Sequence, residues 1–483
     1  MTTPFHKKIL LLVFLLFSMD VIFSQEEAKL KSIESTAFKY RYDQDLLSKE
    51  FHKERREALR KLMPDSSVAV FFANPVRNRS NDVDYEYHQD PNFYYLTGLT
   101  EPDAILLIFK EAQDFDSLKT KELIFIQERN LRKEIWSGRR LGKEGVSLLL
   151  GLDAAFINKD FADTAIDFSK FNQTLFIPPY EDIRDDRQDK GDLYSLIKYF
   201  NNKSSNLGDK LDKRKLYDLM AGLREIKQKE ELALMRKAIE ITCQAQKELM
   251  KALDPGMTEY QSEAIIEYFF KKNGAEYPGF PSILGGGENS CILHYTSNRK
   301  PLYNKDLLVV DIGAEYHGYT ADVTRTLPVN GKYTEEQKII YNIVLEAQTA
   351  GIKACKSGNG FREPHKETTR IIQSRLMELG IIKNPTEAGT YFMHGTSHYL
   401  GLDVHDAGLF GNLTPGNVIT VEPGIYIAEG SDCDPKWWNI GIRIEDDILI
   451  TEGDPENLSV SAPRTIEEIE KLMKEQSPFN VIK

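Results

Sequence analysis

His394-Gly-Thr-Ser-His398-Tyr-Leu-Gly-Leu-Asp-Val-His405-Asp406 is the stretch that decides how this chain is read. It gathers three of the nine histidines in a sequence of 483 residues. Asp311 and Asp322 stand upstream of it, and Glu422 and Glu445 downstream, all in strand-like settings. Four carboxylates and one imidazole are enough to enclose two divalent cations, which leaves the other two histidines free for protons and substrate.

Each acid is read from its neighbours. Leu307 to Gly313 is a buried-strand pattern, Leu-Leu-Val-Val-Asp-Ile-Gly, with Asp311 at a place where an apolar residue is expected. Burying an unpaired carboxylate costs on the order of several kcal/mol, so a cation is expected beside it. Asp322 follows eleven residues later in Ala-Asp-Val-Thr-Arg-Thr, and a hairpin would bring the two together. Alone, such a pair is a weak signal and more often marks two strand-end turn residues. Val418 to Val421 is again apolar and ends in Glu422-Pro-Gly, while Gly441 to Asp447 places Glu445 between apolar neighbours. Arg443 could neutralise one glutamate, but one arginine cannot balance four acids. Two divalent cations can, and oxygen-rich ligation with an imidazole favours Mn, Co, Zn or Fe over a thiolate metal site. The chemistry indicated is that of a two-metal hydrolase.

Composition narrows the alternatives. Hydrophobic residues are 41% and charged residues 28%, which are globular values. A net charge of -12, with no long basic run, argues against nucleic acid as a partner. Lys7 and Lys8 precede an apolar run from Ile9 to Phe17 and a short polar stretch ending at Ser24. That layout predicts a signal peptide over 1–24, cleaved after Ser24, and a periplasmic or secreted protein without stable membrane insertion. The four cysteines, Cys243, Cys291, Cys355 and Cys433, show no zinc-ligand spacing, and their disulfide state is left open.

The chain reads as an α/β (α+β) protein. Lys29 to Lys61 is charged and helical in pattern and stops at Pro64; Ser67 to Ala73, Ala104 to Phe109, Glu122 to Gln127 and Thr174 to Pro178 read as strands. The polar run 201–214 suggests a surface connection between domains. Beyond it a long amphipathic helix is predicted, with Leu232, Met235, Ile239, Thr242, Ala245 and Leu249 on one face. Thr258 with Gln261, and Thr334 with Gln337, are capping-box signatures, and a further helix is predicted over Glu367 to Leu379. Gly285 to Gly287 lacks the Gly-Lys-Ser/Thr ending of a phosphate loop and reads as a loop near the site.

The motifs His-Gly-x-Ser-His-x-Leu-Gly-Leu-Asp-Val-His-Asp, Val421-Glu-Pro-Gly-Ile-Tyr and Gly441-Ile-Arg-Ile-Glu-Asp-Asp resemble the pita-bread metallopeptidases, in particular the Xaa-Pro aminopeptidase (aminopeptidase P) family. The likeness extends to Tyr85-x-Tyr-His-Gln-Asp-Pro, to Glu134-Ile-Trp-Ser-Gly-Arg-Arg, and to Leu223-Arg-Glu-Ile-Lys. It implies a creatinase-like α/β domain over 36–200, a linker over 201–221 and a pita-bread catalytic domain over 222–473. It also implies that Asp311 holds one metal, that His398 and Glu422 hold the other, and that Asp322 and Glu445 bridge both, most simply as Mn2+. A hydroxide shared by the metals would attack the peptide carbonyl, with Glu422 as proton shuttle. His294 and His405 would stabilise the oxyanion, His394 would place the substrate, and Tyr426 and Arg443 would stand behind them. The implied substrates are peptides with proline second, the alternatives being a prolidase limited to dipeptides or a non-catalytic binding protein. A homodimer or homotetramer is expected. Tyr94, Tyr95 and Trp136 lie in the matching N-terminal motifs.

Overall fold

The N-terminal unit is built on one mixed sheet. The computed structural model describes residues 42–115, 118–152, 154–180 and 189–481, so the expected signal peptide lies outside it. The described chain divides into two compact units, up to Leu219 and from Met220. In the first, strands β1 (Ser67–Phe72), β2 (Ile105–Phe115), β3 (Leu118–Ile126), β4 (Ala155–Ile157), β5 (Gln173–Phe176) and β6 (Leu211–Asp212) form a sheet ordered β4-β3-β2-β1-β5-β6. β1 is buried along its whole length, as a continuous apolar run requires. Helix α1 (Lys49–Leu62) begins at Ser48, whose hydroxyl accepts from Phe51 N at 3.1 Å. The helical pattern expected from Lys29 therefore starts later within the described residues: 42–48 is irregular. Buried Arg56 ties this helix to the sheet through Glu122 at 2.9 Å and to the carbonyls of Leu96 and Gly151.

The polar run 201–214 is not a loop. It holds the end of α2 (Leu193–Ser204), then strand β6, which pairs parallel to β5, and leads into α3 (Lys215–Arg224). Its polarity reflects solvent exposure of regular structure rather than absence of structure.

In the second unit the long helix α4 (Lys229–Ala252) is buried on more than the one expected face. Leu232 is only partly buried, whereas Leu234, Ala238, Ile241 and Gln246 are covered, because helix α5 (Glu259–Lys272) and strands lie against different sides of α4. Both expected capping boxes are present, at Thr258 for α5 and at Thr334 for α6 (Glu335–Ala354). Helix α7 (Glu363–Glu378) starts a turn earlier than its apolar pattern indicates, since Pro364 occupies its first turn, where a missing N–H costs nothing. None of the described helices is long and apolar enough to cross a membrane.

The strands of this unit carry the acids. β7 (Ile283–Gly286), β8 (Leu307–Ile312) and β11 (Val323–Pro328) form one antiparallel sheet, with the short pair β9 (Ala314–Tyr316) and β10 (Tyr319–Thr320) between β8 and β11. Gly285 and Gly286 are thus strand residues rather than loop. The expected hairpin exists, with Asp311 opposite Thr324, so Asp322 falls just beyond the register pair Ile312–Val323. Farther on, β12 (Val418–Val421) pairs with β15 (Asp446–Leu449), and β13 (Gly424–Ile427) pairs with β14 (Ile440–Arg443). Glu445 is not inside a strand, as its alternating neighbours suggested, but at the break where the chain leaves one sheet for another.

Arg325 locks that break. Wholly buried, it donates to Pro463 O, Thr324 O, Glu445 O, Asp446 Oδ1 and Ala462 O at 2.6–2.9 Å, which satisfies every N–H of its guanidinium. Gly313 permits the hairpin to close: a Cβ there would lie 1.7 Å from Ala321 O, a backbone atom with nowhere to go. Gly313→Ala is expected to cost about 3 kcal/mol in urea unfolding, an overpacking penalty, and to weaken divalent-metal binding in the same protein.

Candidate active site

Five side chains from five separate places meet in one cavity of about 620 Å3. Asp311 leaves β8, Asp322 the turn before β11, Glu422 the end of β12, and Glu445 the break between β14 and β15. His398 comes from the loop beside β12, where Thr420 N donates to His398 O at 3.0 Å and a bridge joins Tyr399 to Ile419. Its Nδ1 lies 3.0 Å from Tyr399 O, a carbonyl that can only accept, so Nδ1 carries a proton and Nε2 is the nitrogen that faces the acids. That Nε2 is 3.4 Å from both Asp322 Oδ2 and Glu422 Oε1. Ligand atoms of Asp322, His398 and Glu445 lie within 4.8 Å of one another.

The acids are poorly compensated by protein groups. Burial raises Asp322 well above the usual carboxylate range, and Asp311, Asp447 and Glu422 add to the effect. Burial likewise raises Glu445, followed by the charges of Asp322, Glu422 and Asp311. Buried oxygens Asp311 Oδ1 and Asp322 Oδ1 have no hydrogen-bond partner. Carboxylate oxygens with one correctly presented imidazole nitrogen suit divalent cations of the Mn, Co, Zn or Fe type, so this donor set fits a metal centre.

Around it runs a directed chain of hydrogen bonds. Arg443, buried, gives Nη2 to Asp311 Oδ2 at 2.6 Å and Nη1 to the Tyr426 hydroxyl at 2.8 Å. The Tyr426 oxygen is in turn 2.8 Å from His394 Nε2, and His394 Nδ1 is 2.7 Å from Gly395 O. Burial holds the His394 imidazole below its ordinary value, which agrees with a neutral ring that accepts at Nε2. Thr324 donates its hydroxyl to Glu445 Oε2 at 2.6 Å, and Thr420 donates to Glu422 Oε1 at 3.2 Å. His405 stands edge-on to His398 with ring centroids 4.4 Å apart; burial, then the charge of His398, lowers it. His294 lines the same cavity, with Phe280, Leu293 and Val404 as apolar walls.

All the expected site residues thus line the cavity except Tyr426, which reaches it through His394 and Arg443. Tyr94 and Tyr95 are core, while Trp136 is 90% exposed. The cysteines are free thiols.

The comparisons with known proteins cover both units. Residues 233–452 match the model of metallopeptidase family M24, and residues 52–178 match that of the aminopeptidase P N-terminal domain. The chain is 39% identical over 452 residues to an Escherichia coli Xaa-Pro aminopeptidase, covering 88% of this chain and 98% of the relative. It is 37% identical over 439 residues to the Haemophilus influenzae Xaa-Pro aminopeptidase, covering 88% and 98%. The structure of Escherichia coli aminopeptidase P with the inhibitor Pro-Leu superposes with a TM-score of 0.80 at 37% identity, covering 89% of this chain and 99% of that one. The chain belongs to the aminopeptidase P family of M24 metallopeptidases.

As an aminopeptidase P family member it shows support for the site that the motifs did not disclose. Asp447, wholly buried, accepts from Asp322 N at 3.2 Å and so holds the turn that carries Asp322. Asp406 is bonded to both Arg224 and Lys227, the latter at 2.7 Å, and anchors the loop just after His405. Asp447 and Asp406 were written inside the quoted motifs, as were Arg224 and Lys227, but only their burial and partners separate an anchor from a ligand.

Asp322→Asn should reduce divalent-metal affinity by at least about 100-fold, measured by titration calorimetry. In metal-stripped protein the same change should stabilise the fold increasingly as pH rises. Burial and the neighbouring acids raise this carboxyl above its unfolded value of 3.8, so parental stability falls as pH rises from that value toward the folded one. Parallel urea melts with chelator across the neutral range measure that difference.

Proposed function

We propose that this chain is an Xaa-Pro aminopeptidase, releasing the N-terminal residue from peptides with proline in second position. The observation that carries the reading is the convergence of Asp311, Asp322, His398, Glu422 and Glu445 on one cavity, in a chain of the aminopeptidase P family. Divalent metals held by those five residues supply Lewis-acid polarisation of the carbonyl and lower the pKa of a water. Mn2+ is the proposed native ion, on the strength of oxygen-rich ligation with a single imidazole.

The remaining chemistry belongs to the protein. Glu422 takes the proton from water and returns it to the proline nitrogen, which as a tertiary amide must be protonated before it can leave. Thr420 engages one of its oxygens at 3.2 Å, and the other faces His394 Nδ1 at 3.6 Å. Neutral His405, with His294, donates to the oxygen of the scissile carbonyl as charge develops there. His394, fixed by Tyr426 and Arg443, aligns the substrate backbone. The apolar wall of Phe280, Leu293 and Val404 accepts the proline ring without needing an N–H.

The N-terminus implies export, with cleavage after Ser24, and the mature chain is proposed to work in the periplasm or outside the cell. Leu131, Ile135 and Trp136 on one short helix are 73%, 79% and 90% exposed, which supports a homo-oligomer that covers them. N-terminal sequencing of the exported protein should begin at Gln25, and light scattering of it should exceed the mass of one chain.

The decisive assay gives purified protein with Mn2+ an Xaa-Pro dipeptide and an Xaa-Pro-Yaa tripeptide in parallel. The tripeptide should be cleaved; cleavage of the dipeptide alone would make the protein a prolidase, and cleavage of neither would leave a binding protein. Glu422→Gln should retain metal by elemental analysis while kcat falls at least about 100-fold.

A further inference from the structure

Glu259 opens helix α5 and is wholly buried, yet it does not line the cavity. Its carboxylate accepts four hydrogen bonds. Oε1 takes Gly286 N at 2.9 Å and Asn289 Nδ2 at 3.1 Å, and Oε2 takes the Tyr295 hydroxyl at 2.9 Å and Lys300 N at 2.7 Å. All four donors lie on the segment 286–300, and Asn289 and Tyr295 flank His294. Glu259 N returns a bond to Lys300 O at 3.0 Å, and Thr258 forms a bridge with Pro301, so α5 grips the end of the segment.

An acid in the first turn of a helix ordinarily serves the exposed N–H groups of that helix. Here Thr258 serves the end of α5, its hydroxyl oxygen accepting from Gln261 N at 3.3 Å, while the Glu259 oxygens are engaged by the other segment. The opposite side of that segment is fixed too: Gly441 N donates to Ser290 Oγ at 3.0 Å, and Arg443 Nη2 reaches Leu293 O at 3.4 Å. His294 itself is exposed to the cavity and needs such a frame to keep its place.

We propose that Glu259 is a positioning residue for the reaction, a carboxylate hub that fixes the 286–300 segment and through it the His294 imidazole. This rests on the role given to His294 above. Only a carboxylate suits the hub, because a main-chain N–H, which can only donate, points at each oxygen: Gly286 N at Oε1 and Lys300 N at Oε2. A glutamine would set its NH2 against at least one N–H.

The test measures kcat and KM on an Xaa-Pro tripeptide for the parent, Glu259→Gln, His294→Ala and the double variant, each loaded with Mn2+ and checked for metal content and melting temperature. Glu259→Gln should lower kcat about 10- to 100-fold, with metal content unchanged. In the His294→Ala background it should add no more than about twofold, since the group it positions is already gone. Equal losses in both backgrounds, or a parental kcat for Glu259→Gln, would overturn the proposal while leaving His294 its role. A parental kcat for His294→Ala would instead remove that role, and the proposal with it. If Glu259→Gln does not fold, Tyr295→Phe takes its place, deleting one of the four bonds, with a smaller loss and the same dependence on His294.

Discussion

Buried like charge is the constraint on which the catalytic unit depends. Asp311, Asp322 and Glu445 are each less than a tenth exposed, and Glu422 joins them in the same cavity. In a medium of low dielectric such a group of carboxylates cannot all ionise without cations beside them. One guanidinium, Arg443, reaches one oxygen of one of them. The protein therefore gathers carboxylate oxygens and one imidazole nitrogen into a cage suited to divalent metal. Binding free energy and folding free energy are coupled in such a site.

The scaffold answers that constraint with backbone clamps rather than with counter-charges. Arg325 spends four of its five donors on carbonyls around the Glu445 break and the fifth on Asp446. Burial pushes Asp446 up, but the Arg325 charge and hydrogen bonds from Arg325 and Ser459 hold it below the ordinary carboxylate value; Gln348 and Asn457 donate to it as well. Its neighbour Asp447 holds the Asp322 turn by a main-chain bond. Asp406 does the same service after His405, with Arg224 and Lys227 neutralising it inside the protein. These anchors let the ligands sit where their mutual repulsion would otherwise push them apart.

Much of this was legible in one dimension. A carboxylate in an apolar strand, as at Asp311, is an anomaly that a sequence displays openly. The capping boxes at Thr258 and Thr334 were equally plain, because they are local hydrogen-bond patterns four residues long. Local patterns failed where burial came from several directions. Helix α4 is covered on more than one face, and the strand pattern around Glu445 hid a change of sheet. The polar run 201–214 looked like a connection because exposed helix and edge strand use the same residues as a loop. Glu259 escaped notice for a related reason: in sequence it is an ordinary helix-start acid, and its four donors come from residues 286–300.

What the amino-acid order determined on its own was the inventory: four acids and a histidine with donor atoms that suit metal, the further histidines of the same motif, and an acidic composition with no long basic run. It determined these because chemistry and hydrophobic periodicity are properties of neighbouring residues. What only the tertiary structure decided was which groups meet. His398 Nε2 faces Asp322 and Glu422 at 3.4 Å because Tyr399 O holds the other ring nitrogen. Arg443 serves Asp311 rather than its sequence neighbour Glu445, since β14 sets its side chain toward the β8 strand and the Tyr426 hydroxyl. Contacts across more than a hundred residues follow from packing, and no local pattern encodes them.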